Sequence, residues 1–266
     1  MKKITFALLL MVFCIGVTSN VYAEGGYYMS KNGLEYLTFS GSNEAVIYLH
    51  SNPHTLSWVS VHDNPRTHSW EKRIIGKYSD VYDMLKSISG HSGKTTFAIA
   101  RPGVGKSKGT LSHNLNDDSF TNEHLAELVT CIKEIKREYG CTSVTLMGYR
   151  AGATLAAEIA LRYPKLVSDV VLYDGAFDTD AWEWIKTQNK TSYEVNPMKL
   201  AANGNLSTVP FSIYYEEGTD LSKFSQDFAK KLRGNGVKYL HLIGLKYNQG
   251  SFFKHIEAAE EIAAAF

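Results

Sequence analysis

The chain has 266 residues, of which 44% are hydrophobic and 21% are charged, and its formal net charge is +1. A chain this rich in apolar and aromatic residues can bury a sizeable core, which excludes a disordered or low-complexity protein. Because 28 lysines and arginines are balanced by 27 aspartates and glutamates, the charge predicts neither a nucleic-acid partner nor an anionic membrane surface.

The first 23 residues predict a signal peptide. Met1-Lys2-Lys3 is a basic start, an apolar run follows, and Val21-Tyr22-Ala23 is typical of a cleavage site. The apolar run is shorter than the about 20 residues that a membrane-spanning helix needs. We therefore expect export to the periplasm or secretion, no stable membrane insertion after cleavage, and one domain over residues 24–266.

Apolar, β-branched runs alternate with helical patterns along the rest of the chain. The predicted strands are 45–49, 95–100, 143–147, 168–173, 209–215 and 237–243. The predicted helices are 122–139, 151–163, 222–233 and 252–266. Nearly continuous apolar strands are typical of a sheet buried on both faces, and their alternation with helices indicates βαβ units. The fold class predicted is α/β, with a doubly wound, mostly parallel sheet.

Residues 177–207 interrupt this alternation. They hold a short helical pattern around Trp182-Glu-Trp184 and a second that begins at Asn196-Pro197, where asparagine is a good N-cap and proline a good first helical residue. The segment is interpreted as a small lid inserted late in the sheet or, alternatively, as an ordinary crossover connection.

A histidine-containing repeat and a glycine-containing loop could indicate a metal site and a nucleotide site, but neither pattern is complete. Residues 50–58 and 62–70 are similar and contain His50, His54, His62 and His68, but Asn-Pro favours turns and no ligand spacing accompanies them, so we expect surface loop histidines and no metal. Residues 100–107 resemble a phosphate-binding loop, yet no helical pattern follows and a proline lies within it. We expect no cofactor.

The two cysteines of the predicted mature chain are Cys131 and Cys141. The first falls within a predicted helix and the second at the start of the next strand, so their Cα atoms are expected to lie too far apart for a disulfide. Two buried thiols are the preferred interpretation.

A strand, the sequence Gly148-Tyr149-Arg150-Ala151-Gly152 and a helix of small residues follow one another. This order is typical of a nucleophile elbow, where two glycines let strand and helix approach closely around a strained central residue. In this feature the chain resembles the α/β-hydrolases. Residues 103–107, 161–164, 217–220 and 225–236 are similar to further segments of that family, and the resemblance covers essentially the whole mature chain.

The resemblance implies a carboxylic ester or amide hydrolase, but its catalytic positions are substituted. Arg150 occupies the nucleophile position, and a guanidinium remains protonated and cannot attack a carbonyl. Gln249 or Asn248 occupies the position of the histidine base, with His255 as an alternative base. Asp220 corresponds to the acid, in a turn that is shortened.

An oxyanion hole would be formed by the backbone N–H of Ala151 and one from the loop at Ser51 and Asn52. Two functions stay open: a hydrolase that is impaired or inactive, and a non-catalytic binding protein that uses Arg150, Tyr149 and the helix N-terminus to hold an anionic group. Arg150 is expected to pair with Asp220 or to bind an anion, unless the elbow has relaxed and the side chain points to solvent. The predicted ligands are therefore a small ester, an amide or an anion.

Overall fold

A computed structural model describes residues 25–50, 80–104, 107–109, 120–187, 192–203 and 209–246. The strands are β1 (Gly26–Met29), β2 (Glu35–Phe39), β3 (Ser42–Leu49), β4 (Lys94–Ile99), β5 (Ser143–Tyr149), β6 (Asp169–Tyr173), β7 (Phe211–Glu216) and β8 (Leu240–Leu245). The helices are α1 (Asp80–Ser92), α2 (Asn122–Glu138), α3 (Ala151–Arg162), α4 (Thr179–Thr187), α5 (Pro197–Ala202) and α6 (Asp220–Gly234).

The eight strands of the described residues form one sheet in the order β1-β2-β4-β3-β5-β6-β7-β8. β1 and β2 pair antiparallel, β2 pairs antiparallel with β4, and every pairing from β4 to β8 is parallel. The α/β fold class and the mostly parallel sheet are confirmed. The carboxyl ends of β3, β5, β6 and β7 lie side by side, which is where open α/β sheets place their ligand sites.

Helices cover both faces of this sheet. α2, α3 and α6 contribute to one buried cluster, which includes Ile47 of β3. α1 contributes to a second cluster on the opposite face, together with Val46 and Tyr48 of the same strand. Burial on both faces explains why the strands are apolar at successive positions rather than at alternate ones.

Each predicted strand overlaps an observed one, but the sequence analysis missed β1, β2 and α1. The predicted helix 252–266 and the predicted signal peptide lie outside the described residues. Cys131 and Cys141 are both free and buried, as preferred. Among the helices that the structure describes, none is long and apolar enough to cross a membrane.

Hydrogen bonds from Arg162 of α3 link the segment that follows β6 to α2 and α3. Its guanidinium donates from Nε to Glu158 Oε1 at 2.7 Å, from Nη1 to Asn122 Oδ1 at 2.6 Å, and from Nη2 to the Glu194 carbonyl at 2.8 Å. The Glu158 side chain is fully buried, and burial raises its pKa to about 6 although Arg162 opposes the shift. The two short helices predicted in this segment are present as α4 and α5, and the lid interpretation stays a prediction.

Candidate functional site at the strand–helix elbow

Arg150 lies between the last residue of β5 and the first residue of α3. Its backbone has φ 50° and ψ −116°, and Asp174 is the other non-glycine residue with positive φ in the described part of the chain. An L-residue held in such a region costs on the order of 1–3 kcal/mol. The elbow has therefore kept its strained conformation with arginine at its centre, so the expectation of a relaxed elbow is wrong, although the side chain is exposed to solvent as that alternative held.

Two glycines explain how this turn is held. A Cβ at Gly148 would lie 2.5 Å from the carbonyl oxygen of Gly152, and a Cβ at Gly152 would overlap the carbonyl oxygen of Leu49. The end of β3, the end of β5 and the start of α3 thus touch through their backbones. The conformation of residue 150 follows from these contacts rather than from its own side chain.

The backbone of Arg150 is well bonded while its side chain is exposed. Its N–H donates to the Tyr173 carbonyl at 2.8 Å, and its carbonyl accepts from the Thr154 N–H at 3.0 Å. The guanidinium carbon lies 5.3 Å from the centroid of the Tyr149 ring, within the range of a cation–π contact. Tyr149 is half-buried and packs against the rings of His50 and Tyr173.

The expected ion pair between Arg150 and Asp220 is not formed. No ion pair within the described ranges includes either residue. Asp220 is the exposed first residue of α6, after Gly218 with φ 81° and the N-cap Thr219. The helix thus begins at Asp220 itself, its side chain is exposed, and the pairing hypothesis is wrong for the described part of this structure.

Two carboxyl groups that the sequence analysis missed lie at the ends of β6 and β7. Asp174 follows β6, has φ 49° and is 2% exposed. Its Oδ1 accepts from the Glu216 N–H at 2.9 Å, and its own N–H donates to the Tyr214 carbonyl. The Glu216 side chain is also buried, and its Oε1 accepts from the Tyr173 hydroxyl at 3.5 Å.

Burial raises the pKa of Asp174 to about 6, and the charge of Glu216 adds to this effect. The Glu216 N–H and the charge of Arg150 act in the opposite direction and lower the pKa of Asp174. An aspartate at the end of a buried strand was the available sequence signal, but its proximity to Arg150 arises from strand pairing.

A second arginine, which unlike Arg150 is buried, lies at the ends of β3 and β4. Arg101 donates from Nη2 to the His50 carbonyl at 2.7 Å, while its Nε and Nη1 have no hydrogen-bond partner among the described residues. Burial lowers the pKa of Arg101 to about 10. His50 is itself buried, with Nδ1 2.6 Å from the Tyr48 hydroxyl. The expectation of a surface loop histidine is therefore wrong for His50, because its ring packs within the sheet end.

The remaining candidate residues are only partly covered by the structure. Ala151 begins α3 directly beside Arg150. Ser51, Asn52, Asn248, Gln249 and His255 lie outside the described residues, as do His54, His62 and His68. Within the described residues, no group of three or more histidine, cysteine, aspartate or glutamate side chains is arranged to hold a metal ion.

Comparison with known proteins agrees with this architecture. The sequence profile of the alpha/beta hydrolase fold family matches residues 44–194, more than half of the chain. The chain therefore belongs to the α/β-hydrolase family. No curated protein sequence matches it.

Solved structures with a similar fold include esterases and a serine hydrolase homologue. An arylesterase has a TM-score of 0.61 and 13% identity, over 97% of this chain and 89% of its own. An esterase from Pyrococcus furiosus has a TM-score of 0.58 and 15% identity, over 92% and 91%. An α/β serine hydrolase homologue from Coxiella burnetii has a TM-score of 0.59 and 13% identity, over 92% and 97%. At these identities the likeness is one of fold.

Proposed function

We propose that this chain is an α/β-hydrolase-fold protein whose elbow binds an anionic group, such as a carboxylate or a phosphate, instead of attacking an acyl group. The observation that carries the proposal is Arg150 in the strained elbow conformation, with φ 50° and ψ −116°. The fold presents residue 150 as it would present a nucleophile, but the group presented is a permanent cation.

Ester hydrolysis is the activity named for several similar structures, and the elbow argues against it in this chain. The guanidinium has no lone pair available for attack at neutral pH. Its two neighbours are Tyr149, which belongs to β5, and Ala151, which begins α3. Neither is placed at the strained position. Hydrolysis through this elbow is therefore impaired or absent.

Anion binding is supported by the charges around Arg150. The guanidinium is exposed and forms no ion pair with a carboxylate of the described residues. It lies beside the N-terminus of α3, which carries partial positive charge and backbone N–H donors. The planar fork of arginine matches the two oxygens of a carboxylate or phosphate. Cation and helix end thus favour the same kind of ligand.

The test compares the mature chain with Arg150→Ser and Arg150→Ala on a short-chain activated ester, and measures binding of inorganic phosphate and sulfate by calorimetry. Arg137→Ser, an exposed arginine on α2, is the matched control for loss of one positive charge. We expect no ester turnover by the native chain, and anion binding that both Arg150 variants lose and Arg137→Ser keeps.

The alternatives have distinct outcomes. Turnover by the native chain that persists in Arg150→Ala contradicts the proposal, since another residue is then the nucleophile. Turnover only in Arg150→Ser shows that arginine alone silences an otherwise complete hydrolase site. Anion binding that persists in Arg150→Ala removes the proposed role of the guanidinium.

We also propose export, on the strength of the basic start, apolar run and cleavage site in residues 1–23. Expression of the full chain in a bacterial host, followed by fractionation and N-terminal sequencing, tests it. The expected product begins at Glu24 and lies outside the cytoplasm. A cytoplasmic product that retains Met1 contradicts the proposal.

A further inference from the structure

We infer that Asp174 is a positioning residue for Arg150, and that ionisation of its carboxyl group weakens the binding of anions at the elbow. The inference rests on the proposed function, since it concerns the same guanidinium. It makes anion binding dependent on pH, with the tighter binding on the acidic side.

The geometry brings the two strained residues together. Arg150 follows β5 and Asp174 follows β6, and these strands are paired in parallel with Tyr149 opposite Tyr173. The Arg150 N–H donates to the carbonyl of Tyr173, which directly precedes Asp174. They are the two non-glycine residues with positive φ in the described part of the chain. Strain of this kind tends to collect at functional sites.

The Asp174 carboxyl group is buried and held by a hydrogen bond. It is 2% exposed, and its Oδ1 accepts a 2.9 Å hydrogen bond from the Glu216 N–H. No ion pair within 4.0 Å joins it to a described residue. Its charge nevertheless acts on Arg150 through space, because the guanidinium lowers the pKa of Asp174. An ionised Asp174 therefore adds a negative charge near the guanidinium without forming an ion pair with it.

The groups that face Asp174 can be named from each neighbouring element. The turn after β5 supplies Arg150, and the end of β5 supplies Tyr149, which contacts Tyr173 rather than Asp174 itself. β6 supplies Tyr173, whose pKa is raised by burial and by the charges of Glu216 and Asp174. β7 supplies the carboxyl group of Glu216 and the carbonyl of Tyr214. Among the residues that the structure describes, the charged groups that act on Asp174 are thus the Arg150 guanidinium and the Glu216 carboxyl group.

The direction of the effect follows from these charges. Burial raises the pKa of Asp174 to about 6, so the carboxyl group is mostly neutral at pH 5 and mostly ionised at pH 8. The neutral form leaves the charge of Arg150 available to a bound anion. The ionised form places a fixed negative charge near the guanidinium and repels the same anion.

The experiment measures sulfate binding at pH 5 and pH 8 by calorimetry at constant ionic strength. Sulfate is the probe because its charge does not change between these two pH values. The native chain is expected to bind about fivefold more weakly at pH 8 than at pH 5. Asp174→Asn is expected to bind at both pH values about as tightly as the native chain does at pH 5.

The variants are chosen to keep the fold. Asparagine retains the Oδ1 acceptor and is among the residues that best tolerate positive φ, so Asp174→Asn removes the charge and keeps the turn. Asp227→Asn, an exposed aspartate on α6, is the matched control and is expected to show the native pH dependence. Arg150→Gln is expected to bind sulfate at neither pH.

The results distinguish failure of this inference alone from failure of the proposed function. Equal pH dependence in the native chain and in Asp174→Asn overturns the role of Asp174 and leaves anion binding by Arg150 in place. Sulfate binding that is absent, or independent of Arg150 at both pH values, overturns the proposed function and this inference together. A merely structural role for Asp174 is excluded when Asp174→Asn keeps its affinity at pH 5 but loses the dependence on pH.

Discussion

Replacing Arg150 by glycine is expected to stabilise the protein, although it removes the residue at the centre of the proposed site. At φ 50° and ψ −116° a side chain costs about 1–3 kcal/mol, which glycine does not experience. Glycine also lowers the free energy of unfolding by about 0.5–1 kcal/mol, because it has more conformational freedom in the unfolded chain. Loss of the exposed contact between the guanidinium and the Tyr149 ring lowers the free energy of unfolding by about 0.5 kcal/mol further. The net expectation is a gain of about 1 kcal/mol in the free energy of unfolding.

Urea denaturation of the mature chain, followed by circular dichroism at pH 7, measures this difference. The matched control is Ala126→Gly at an exposed position inside α2, which is expected to lose about 1 kcal/mol because glycine is a poor helix former. The two glycine variants should therefore change stability in opposite directions. An Arg150→Gly variant as destabilised as Ala126→Gly would refute the reasoning, because the elbow would then hold no strain for glycine to relieve.

Three further predictions concern the framework of the site. Arg162→Met is expected to lower the free energy of unfolding by about 3 kcal/mol at pH 7, because it leaves the Glu158 carboxylate buried without its partner. The loss measured by denaturation should be smaller at pH 5, where Glu158 takes up a proton. An equal loss at both pH values would contradict the role of Arg162 as the partner of an ionised Glu158. Burial raises the pKa of Glu158 and of Asp174 to about 6 in the folded chain, so folding favours their protonated forms. Each raised pKa stabilises the folded protein by about 2–3 kcal/mol at low pH. This stabilisation is fully present below the pKa of the group in the unfolded chain and is lost as the pH rises through about 6. Stability should fall between pH 4.5 and 7, and Glu158→Gln should fall less; parallel curves would count against the raised pKa. Gly152→Ala is expected to cost about 3 kcal/mol or more through overlap with backbone. Gly234→Ala, at the last residue of α6 and with no atom within 4 Å of the added Cβ, should not destabilise the protein, because alanine favours a helix more than glycine does. Similar thermal midpoints for both variants would contradict the close packing at the elbow.

The sequence was most informative where local pattern and burial coincide. β3 places Val46 and Ile47 in clusters on opposite faces of the sheet, so its apolar run is a direct sign of burial on both sides. β2 was missed because Glu35 and Thr38 interrupt its apolar run, although every residue of the strand is buried. In α1 the helical spacing of Val81, Met84, Leu85 and Ile88 was present and was overlooked.

The candidate site was predictable only in its local part. The elbow is encoded within five consecutive residues, so Arg150 could be placed from the sequence alone. Asp174 and Glu216 are 42 residues apart and meet because β6 and β7 pair in one register. Asp220 shows the converse: its turn resembled the acid turn, but the helix begins at that residue. A motif fixes backbone conformation, whereas partners across strands depend on the register of the whole sheet.

The glycines at 148 and 152 have a consequence for how this protein changes over generations. Because they and the end of β3 hold the turn, the chemistry at position 150 can be exchanged without remodelling the scaffold. One substitution at position 150 exchanges a hydroxyl group for a fixed cation on an unaltered backbone. The scaffold therefore sets where the side chain at this position is presented, and leaves its chemistry open to single substitutions.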